Sequence, residues 1–479
     1  MRWTIAQVAD ALGTRPGSGL DPLARVAGVS IDSRAIRAGE LFIAIHGPRH
    51  DGHDHVASAL EHGAIAAVVA VAQLPRYPDA VRDRCIAVGG TFEALKQLAR
   101  AVRESWGGKI VGITGSVGKT TTKEIMAALL GAKLRVLKSE GNLNNEYGLP
   151  LTLFRLEETH QAAVLEMGMS RRGELARLAA IARPDVGVVT RVAPAHLEFF
   201  SSVDEIALAK RELIEGLNGR ESTAVLNADD PRVAAFGAFA PGRVLTYGVE
   251  KQAFFMAREI EDRGALGSAF DYVSPEGRVR LELNVPGRHA IANALAALAA
   301  ASVWDIGAAE AQSVFLSLRA PAMRGELLRF SNGAALINDS YNSSPAALRA
   351  MTELLAATPN FRRRILAAGE MRELGAASPE LHREAGQFAA KTGKIDWVIG
   401  VAGDAERIVE GALAAGLARA HTRFFATPKE AAEFLAEFIG EGDLLLVKGS
   451  RGVKMEQIVE TLLARHAAPG ETMGQEARH

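Results

Sequence analysis

The residues best suited to hold phosphate form a glycine-rich segment, Gly112-Ile113-Thr114-Gly115-Ser116-Val117-Gly118-Lys119-Thr120-Thr121, between an apolar strand and a helix. Backbone N–H groups of such a loop can surround phosphate, while the lysine reaches the β and γ oxygens and Thr120 is placed to ligate Mg²⁺. The strict motif has glycine at position 113, where this chain has isoleucine. A plain glycine-rich turn is the alternative. Because strand, Gly-Lys-Thr core and helix start coincide, we predict nucleotide contacts from Gly112, Thr114, Gly115, Ser116, Val117, Gly118, Lys119, Thr120 and Thr121.

Three residues farther along the chain carry additional chemistry, since a phosphate loop alone does not specify a reaction. Glu166 ends an apolar strand, His196 follows another strand, and Lys210 lies in a helix. The carboxyl ends of parallel strands share one edge with the phosphate loop, so Glu166 and His196 can both face the nucleotide. Carboxylate and imidazole suit metal ions that bridge phosphate oxygens. Taken singly, a glutamate at a strand end is more often a cap, a lone histidine more often a structural hydrogen-bonding group, and a helix lysine more often a solvated charge. A metal cluster and a structural role therefore both stay open.

The elements that position these residues alternate between short apolar strands and longer amphipathic helices, a pattern typical of parallel sheets covered by helices. At roughly 150 residues per domain, 479 residues indicate about three domains. We predict an α/β fold with domains at 1–106, 107–318 and 319–466, followed by a flexible tail at 467–479. The paired glycines at 107 and 108 are the predicted hinge between the first two.

Individual elements follow from the same pattern. Helices are predicted at 55–62, 91–106, 123–130 and 290–303. Strands are predicted at 41–45, 64–71, 85–88, 110–113, 164–166, 186–189, 224–226, 335–337, 365–368, 397–400 and 444–447, with a β-rich stretch at 270–285.

Composition excludes several classes of protein. The 55 basic and 56 acidic residues nearly cancel, which argues against a dedicated nucleic-acid-binding or polybasic membrane-binding protein. A single cysteine, Cys85, excludes an internal disulfide and a cysteine-based metal site. No apolar run reaches the ~18 to 20 residues of a membrane span, and the first residues lack the pattern of a signal peptide. We therefore predict a cytoplasmic protein.

Segments along nearly the whole chain resemble the Mur ligase family, the ATP-dependent amide-forming enzymes that build the peptide of bacterial cell-wall precursors. Residues 31–34, 39–44 and 47–53 resemble the family's uridine-diphosphate-binding domain. Residues 112–121 match the family's version of the phosphate loop, including the isoleucine. Residues 141–150 resemble the signature of the member that adds D-alanyl-D-alanine, and 339–345, 369–375 and 447–451 resemble its further segments.

The resemblance implies a three-domain fold: an N-terminal α/β UDP-binding domain, a central P-loop parallel-sheet ATPase domain and a C-terminal Rossmann-like α/β domain. It implies a ligase that adds D-alanyl-D-alanine to UDP-N-acetylmuramoyl-tripeptide through an acyl phosphate, releasing ADP and phosphate. The product would be the UDP-MurNAc-pentapeptide precursor of peptidoglycan. The implied partners are these small-molecule substrates and ATP, with no nucleic acid, and the implied state is a monomer.

The resemblance also assigns roles to individual residues. Thr120 and Glu166 would hold one Mg²⁺, and Glu166 with His196 a second. Lys210 matches the lysine that family members carbamylate to N6-carboxylysine, which would make it a metal ligand. Lys119, Glu166, His196 and Lys210 are thus the implied catalytic residues. The remaining implied contacts are Asn293, Asp339 and Asn342 with the nucleotide, and Ser33, Arg34, Asn142, Asn144 and Asn145 with substrate.

Three positions depart from the family pattern. Ala290 and Ser344 stand where asparagines are usual, and Arg324 lies in Arg-Gly-Glu instead of a Gly-Arg pair. Two other functions stay open at this point. One is the family member that adds the third amino acid, although its Asp-Asn-Pro-Arg motif does not occur here. The other is a P-loop ATPase that switches a partner without ligating anything.

Overall fold

Three separate sheets organise the computed structural model, which describes residues 3–47, 50–194, 199–319 and 322–466. The first sheet has four parallel strands in the order β1-β2-β3-β4, namely β1 (Gly28–Ser30), β2 (Glu40–Ile43), β3 (Ala66–Ala70) and β4 (Cys85–Val88). Its helices are α1 (Ile5–Ala11), α2 (Val56–Glu61), α3 (Asp79–Arg82) and α4 (Thr91–Trp106). We call this sheet and its helices the first unit.

The second unit is built on a nine-stranded sheet in the order β13-β12-β11-β10-β9-β8-β5-β7-β6. Its strands are β5 (Lys109–Thr114), β6 (Val136–Lys138), β7 (Ala162–Glu166), β8 (Val186–Val189), β9 (Thr223–Asn227), β10 (Arg243–Gly248), β11 (Phe255–Asp262), β12 (Ser268–Ser274) and β13 (Gly277–Leu283). Its helices are α5 (Lys119–Gly131), α6 (Gly148–Leu153), α7 (Glu174–Ala182), α8 (Val203–Glu215), α9 (Pro231–Ala235), α10 (Arg288–Ala301) and α11 (Ala308–Ser317). Strands β5 to β11 pair in parallel, and the hairpin-like edge β11-β12-β13 is antiparallel.

The third unit has six strands in the order β14-β15-β19-β16-β17-β18, all parallel except the edge strand β14. The strands are β14 (Glu326–Arg329), β15 (Ala335–Asp339), β16 (Arg363–Gly369), β17 (Trp397–Val401), β18 (Thr422–Phe425) and β19 (Asp443–Lys448). The helices are α12 (Pro345–Ala357), α13 (Ser378–Lys391), α14 (Ala405–Ala414), α15 (Pro428–Phe438) and α16 (Glu456–His466). The α/β class predicted from the alternating pattern is confirmed, with antiparallel strands added at the edges of the second and third sheets.

Strand order in the second unit determines where its chemistry gathers. Strand β5 lies between β8 and β7, and all three run in parallel. Their carboxyl ends therefore meet at one edge, where the phosphate loop leaves β5 and Glu166 ends β7. Helix α5 starts directly after the loop and packs against α10, the alanine-rich helix whose residues are almost all buried. The helix that follows the phosphate loop is thus held in place by its packing against α10.

The first and second units pack through α4. Leu95 and Leu98 of this helix belong to the same apolar core as Leu153 and Leu178 of the second unit. The buried Arg103 guanidinium lies 2.9 Å from Oδ2 of Asp185 at the start of β8. Helix α4 ends at Gly107, whose φ of 72° is the left-handed conformation that glycine adopts without strain.

The third unit contacts the second at a turn between β11 and β12. Ala265 in that turn is 5% exposed and lies in the apolar core of the third unit. Its backbone N–H donates a 3.0 Å hydrogen bond to Oγ1 of Thr358, the residue that ends α12. This contact joins the second and third units.

Several predicted elements agree with the structure to the residue, including the helix at 91–106 and the strands at 85–88 and 186–189. Helix α5 differs, because it begins at Lys119 and not at 123. Three consecutive threonines follow Lys119, and β-branched residues have low helix propensity, which hides the true start from a sequence-based reading. Among the described residues, no helix combines the length and apolar character needed to cross a bilayer. The predicted tail at 467–479 lies outside the described residues.

Candidate active site

The phosphate loop has the backbone geometry that an anion site requires. Gly118 adopts φ 87° immediately before α5, and a Cβ atom there would lie 2.4 Å from Oδ1 of Asn293. Only glycine fits such a position without strain. Among the residues that the structure describes, no side chain caps the first turn of α5, which leaves its N–H groups available to a ligand. These groups and the positive end of the helix dipole favour a bound phosphate.

Two hydroxyls hold the loop in this shape. Thr190, the residue after β8, donates a 2.6 Å hydrogen bond from Oγ1 to the carbonyl oxygen of Val117. Ser116 donates from Oγ to the carbonyl of Ala193 at 2.9 Å, and its backbone N–H donates to the carbonyl of Arg191 at 2.7 Å. These hydrogen bonds hold the loop backbone in the shape that can surround a phosphate.

Glu166 is the carboxylate that faces the loop. Its Oε2 accepts a 2.7 Å hydrogen bond from Oγ1 of Thr120, and its Oε1 accepts a 3.0 Å bond from Nδ2 of Asn144. Its own backbone N–H donates to Oγ of Ser139 at 3.1 Å. Although Glu166 is only 4% exposed, both carboxylate oxygens are satisfied. Burial and three hydrogen bonds thus fix its orientation toward the start of α5.

Two lysines are enclosed beside this carboxylate. Burial lowers the pKa of Lys119 and the positive charge of Arg324 lowers it further, whereas the Glu166 carboxylate raises it. Nζ of Lys119 donates to the carbonyl of Gly115 at 2.8 Å. Lys210 is 3% exposed, and burial lowers the pKa of its amine well below the usual range, with the charge of Lys119 adding to the effect. A lysine in this environment favours the neutral, nucleophilic amine.

These groups line a cleft of about 1340 Å³ whose opposite wall belongs to the third unit. On that wall the ring of Tyr341 lies 4.1 Å from the guanidinium carbon of Arg324. Buried Lys448 pairs with Asp339, with Nζ 2.5 Å from Oδ2, and also donates to the carbonyl of Asn342 at 2.8 Å. A cleft between two units that carries convergent polar groups is the expected place for a ligand.

Most of the predicted site residues line this one cleft. They are Ser116, Val117, Gly118, Lys119, Thr120, Thr121, Asn142, Asn144, Asn145, Glu166, Lys210, Asn293, Asp339 and Asn342. Gly112 and Thr114 are buried in β5, and Gly115 is the first residue of the loop after that strand. These three predicted residues do not line the cleft. His196 lies outside the described residues. The side chain of Asn145 accepts from the N–H groups of Tyr147 and Gly148, so it also starts helix α6.

Ser33 and Arg34 lie apart from the cleft, in the loop after β1 of the first unit. The Arg34 guanidinium is largely exposed and lies 2.7 Å from Oδ2 of Asp32. Hydrogen bonds from Arg34 lower the pKa of Asp32 to about 2. The loop therefore presents a charged pair to solvent, away from the cleft.

The three departures from the family pattern have different environments. Ala290 is fully buried in the core of the second unit and does not line the cleft. Ser344 caps α12 by accepting from the N–H of Ala347 at 3.4 Å. Arg324 faces the cleft and acts electrostatically on Lys119, as described above. Of the three, only Arg324 places a charge near the phosphate loop.

Two residues of the site are not among those predicted from the sequence. Thr190 braces the loop, and the signal that could have identified it is its position directly after an apolar strand at the same sheet edge. Arg372 lines the cleft from the third unit, within a segment noted only for its resemblance. Among the residues that the structure describes, no group of three or more His, Cys, Asp and Glu side chains forms a metal cage. A cation here would depend on Thr120, Glu166 and ligand oxygens.

The arrangement matches what phosphoryl transfer requires: an anion-binding loop, an enclosed lysine, a fixed carboxylate and a wall from a second unit that can enclose the reactants. Similarity to known protein families supports this interpretation. Family models match in order along the chain, as Mur ligase family, catalytic domain (residues 25–103), Mur ligase middle domain (113–301) and Mur ligase, glutamate ligase domain (323–451).

Individual relatives match almost end to end. A Bacillus subtilis protein named UDP-N-acetylmuramoyl-tripeptide--D-alanyl-D-alanine ligase is 34% identical over 436 residues, covering 91% of this chain and 93% of the relative. A crystal structure of MurF from Acinetobacter baumannii superposes with a TM-score of 0.87 at 27% identity, covering 97% of this chain and 99% of that one. MurF ligase from Thermotoga maritima in complex with ADP gives 0.79 at 29% identity, covering 91% and 97%. With family models matching successive parts of its length and a relative 34% identical across 91% of it, the chain belongs to the Mur ligase family.

Proposed function

We propose that this protein is an ATP-dependent ligase that joins D-alanyl-D-alanine to UDP-N-acetylmuramoyl-tripeptide. The observation that carries the proposal is the placement of Glu166 against Thr120 at the start of α5, 2.7 Å apart, in a cleft closed by the third unit. The relatives that match this chain over more than 90% of its length carry the name of that ligase. The resulting UDP-MurNAc-pentapeptide is a precursor of peptidoglycan.

The reaction has two bond-forming steps. A carboxylate oxygen of the tripeptide attacks the γ-phosphorus of ATP, the bond to the bridging oxygen breaks, and ADP leaves. The amine of D-alanyl-D-alanine then attacks the acyl carbon, phosphate leaves with the C–O bond electrons, and the amine loses a proton. Lys119 and the N–H groups of the loop stabilise charge on the transferring phosphoryl group.

Thr120 and Glu166 are the residues that would hold Mg²⁺. The fit rests on their chemistry: a hydroxyl and a carboxylate already oriented toward each other offer the hard oxygen donors that this ion prefers. When bound, Mg²⁺ would neutralise charge on the β and γ phosphates. The family resemblance implies that Glu166 and His196 would hold a second ion, and His196 lies outside the described residues.

Lys210 is the proposed site of carbamylation. A neutral amine is the form that adds CO₂, and burial favours that form at Lys210. The N–C bond forms and the amine loses one proton, leaving an anionic carbamate. In labelled bicarbonate, ¹³C NMR should show a carbamate resonance that Lys210→Ala lacks. Added short carboxylates should partly restore activity to Lys210→Ala, whereas full activity of the unrescued variant would refute this role.

The remaining assignments belong to the same proposal. Ser33 and Arg34 in the first unit and Asn142, Asn144 and Asn145 in the cleft would contact substrate, and Asn293, Asp339 and Asn342 would contact the nucleotide. The proposed functional domains are 1–106, 107–318 and 319–466. We place the enzyme in the cytoplasm as a monomer, which fractionation and sedimentation velocity would test.

Substrate dependence of phosphate release tests the function. Release should require ATP, the UDP-linked tripeptide and D-alanyl-D-alanine together. Release that is unchanged when either peptide is omitted would instead identify a switch ATPase. Efficient addition of a single amino acid to the UDP-linked dipeptide would identify the ligase of the third residue. Lys119→Ala removes activity in every case, so that variant does not discriminate.

A further inference from the structure

A fully buried histidine lies behind the wall of the cleft, and no step of the proposed reaction uses it. His382 is 0% exposed on α13 and does not line the cleft. The loop that follows β16 does line it, through Arg372, Glu373 and Leu374. We call residues 370–374 the wall loop. Because His382 itself does not face the cleft, any effect that it has there passes through this loop.

The hydrogen bonds of His382 define its protonation state. Its Nε2 accepts a 2.8 Å hydrogen bond from the backbone N–H of Met371, the second residue of the wall loop. Its Nδ1 lies 2.7 Å from the carbonyl oxygen of Ser378. A carbonyl oxygen only accepts, so Nδ1 carries the proton and Nε2 the lone pair. A neutral imidazole makes both bonds, whereas a protonated one has no lone pair left for Met371.

Three successive N–H groups of the wall loop, starting at its first residue, are held by three different segments of the third unit. They donate in chain order to the carbonyl of Val401 at 3.1 Å, to Nε2 of His382 at 2.8 Å and to Oγ of Ser450 at 2.9 Å. Val401 ends β17, His382 lies on α13 and Ser450 follows β19. A carbonyl and a hydroxyl keep their lone pairs near neutral pH, whereas an imidazole loses its own when it is protonated. The middle anchor is therefore the one that a proton can remove.

The wall loop depends on its anchors because part of it is strained. Glu373 has φ 64°, in the left-handed region that residues other than glycine rarely adopt. Such a conformation persists only where the surrounding contacts hold it. Met371, two residues earlier, is 1% exposed, so loss of its acceptor would leave a buried N–H unsatisfied. A shift of the wall loop would relieve both the strain and the unsatisfied N–H.

Two carboxylates act on His382 from neighbouring segments. Burial lowers the pKa of the imidazole below its ordinary value of 6.5, whereas the hydrogen bond to Ser378 and the charges of Asp404 and Glu370 raise it. Because burial has the largest effect, the imidazole is neutral at neutral pH and takes up a proton only below pH 6.5. On the helices packed against α13, Glu410 pairs with Arg383 and Arg407, and Glu353 pairs with Arg349.

We propose that His382 is a positioning residue for the ligase: its neutral imidazole holds the wall loop in the form that lines the cleft, and its protonation releases that loop. This inference rests on the proposed function, because the cleft is where we place the reaction. His382 acts through the backbone of the loop and not by touching the reactants. A wall displaced by about 1 Å is enough to reduce the rate of the reaction about 100-fold.

The test compares two variants of this histidine. His382→Gln keeps an oxygen that can accept from Met371, whereas His382→Leu fills a similar space without an acceptor. At about pH 8, kcat/KM should fall about 10- to 100-fold in the leucine variant and stay within about threefold of wild type in the glutamine variant. His466→Leu is the matched control and should keep wild-type activity. His466 belongs to the third unit, lies outside the cleft and places its Nε2 2.9 Å from the carbonyl oxygen of Ala436.

The pH dependence separates positioning from a general effect on stability. As the pH falls from 6.5 to about 5, the wild-type imidazole takes up a proton and the glutamine does not. The ratio of kcat/KM in His382→Gln to that in wild type should therefore rise over this range. Titration of the groups that both enzymes share cancels in the ratio. A ratio that does not change with pH would overturn the proposal, and so would a fully active His382→Leu.

Hydrogen exchange tests the wall loop without any turnover. In protein labelled with ¹⁵N-methionine, exchange of the Met371 N–H should accelerate about tenfold or more in His382→Leu and stay slow in His382→Gln. Equal protection in both variants would overturn the proposal.

Should His382→Leu fail to fold, wild type and His382→Gln decide alone. Protection of the Met371 N–H, corrected for the intrinsic rate, should fall with pH in the wild type and not in His382→Gln, and parallel behaviour would overturn the proposal. Absence of any ligated product with wild-type enzyme and all three substrates would instead refute the proposed function. The exchange measurement would still decide whether His382 holds the wall loop.

Discussion

Thr120 and Glu166 lie 46 positions apart in the chain, yet the Thr120 hydroxyl donates a 2.7 Å hydrogen bond to the Glu166 carboxylate. One residue starts α5 and the other ends β7, so the contact exists because β5 and β7 are neighbours in the second sheet. The phosphate loop and its carboxylate are therefore brought together by sheet topology.

Replacing the hydroxyl at position 120 tests that relationship. Thr120→Val keeps the shape but removes the oxygen, and it should lower kcat/KM for ATP about 100-fold or more, since one oxygen donor to the phosphate site is lost. Thr120→Ser keeps the oxygen and should retain activity within about tenfold. Steady-state phosphate release measures both. Equal activity in the valine and serine variants would show that the hydroxyl plays no part.

Gly118 offers a test of the loop backbone. Gly118→Ala adds a Cβ at φ 87° that meets Asn293, so it should destabilise the protein by about 1–3 kcal/mol and weaken ATP binding. Gly131→Ala is the matched control, because a Cβ there would meet no other part of the described structure within 4 Å and Gly131 is not among the residues with positive φ. That control should be neutral or stabilising by about 0.5–1 kcal/mol. Calorimetric titration with ATP and thermal unfolding provide the two readouts, and intact ATP affinity in Gly118→Ala would contradict the loop assignment.

We expect the buried amine of Lys210 to lower the free energy of unfolding, although the proposed activity requires it. Burial holds its pKa below the unfolded value, so the unfolded state binds more protons, and stability should rise with pH between the folded pKa and the usual lysine range. Lys210→Met removes the buried amine and should raise the free energy of unfolding near neutral pH by about 1 kcal/mol or more. The same variant should be inactive. Unfolding midpoints that fall in Lys210→Met without CO₂ would contradict this assignment.

The pair formed by Lys448 and Asp339 tests the wall of the third unit. Lys448 is 3% exposed, and Lys448→Met would leave the Asp339 carboxylate without its cation. Removing one partner of a buried pair costs about 3–5 kcal/mol. Lys429→Met, at an exposed lysine on α15, should change stability by less than about 0.5 kcal/mol. Equilibrium unfolding in urea measures both, and similar values for the two variants would show that the pair contributes nothing.

The sequence predicts elements well where periodicity is strong. Helix α4 and strands β4 and β8 agree to the residue, because each has a clear apolar pattern bounded by glycine or polar residues. For α5 the sequence predicts a start at 123, later than the observed Lys119, since three threonines weaken the helical signal. The family and the α/β class are confirmed. The roles of individual site residues and the domain boundaries stay predictions.

The sequence does not predict which residues from distant segments of the chain contact each other. The hydrogen bond from the Asn144 side chain to Glu166 depends on the fold of residues 141–150, and the predicted substrate contact of Asn144 stays a prediction. Thr190 has no motif around it and acts only because β8 ends beside the phosphate loop. The environment of Arg324 depends likewise on how the second and third units face each other. Such relationships are properties of tertiary structure and leave no periodic signal.

The most direct test of the central claim is a product analysis by mass spectrometry with purified enzyme, ATP, UDP-N-acetylmuramoyl-tripeptide and D-alanyl-D-alanine. We predict a UDP-linked pentapeptide formed in a one-to-one ratio with ADP and phosphate, and no phosphate above background when either peptide is withheld. ATP hydrolysis that proceeds without a pentapeptide, or at the same rate without D-alanyl-D-alanine, would contradict the account.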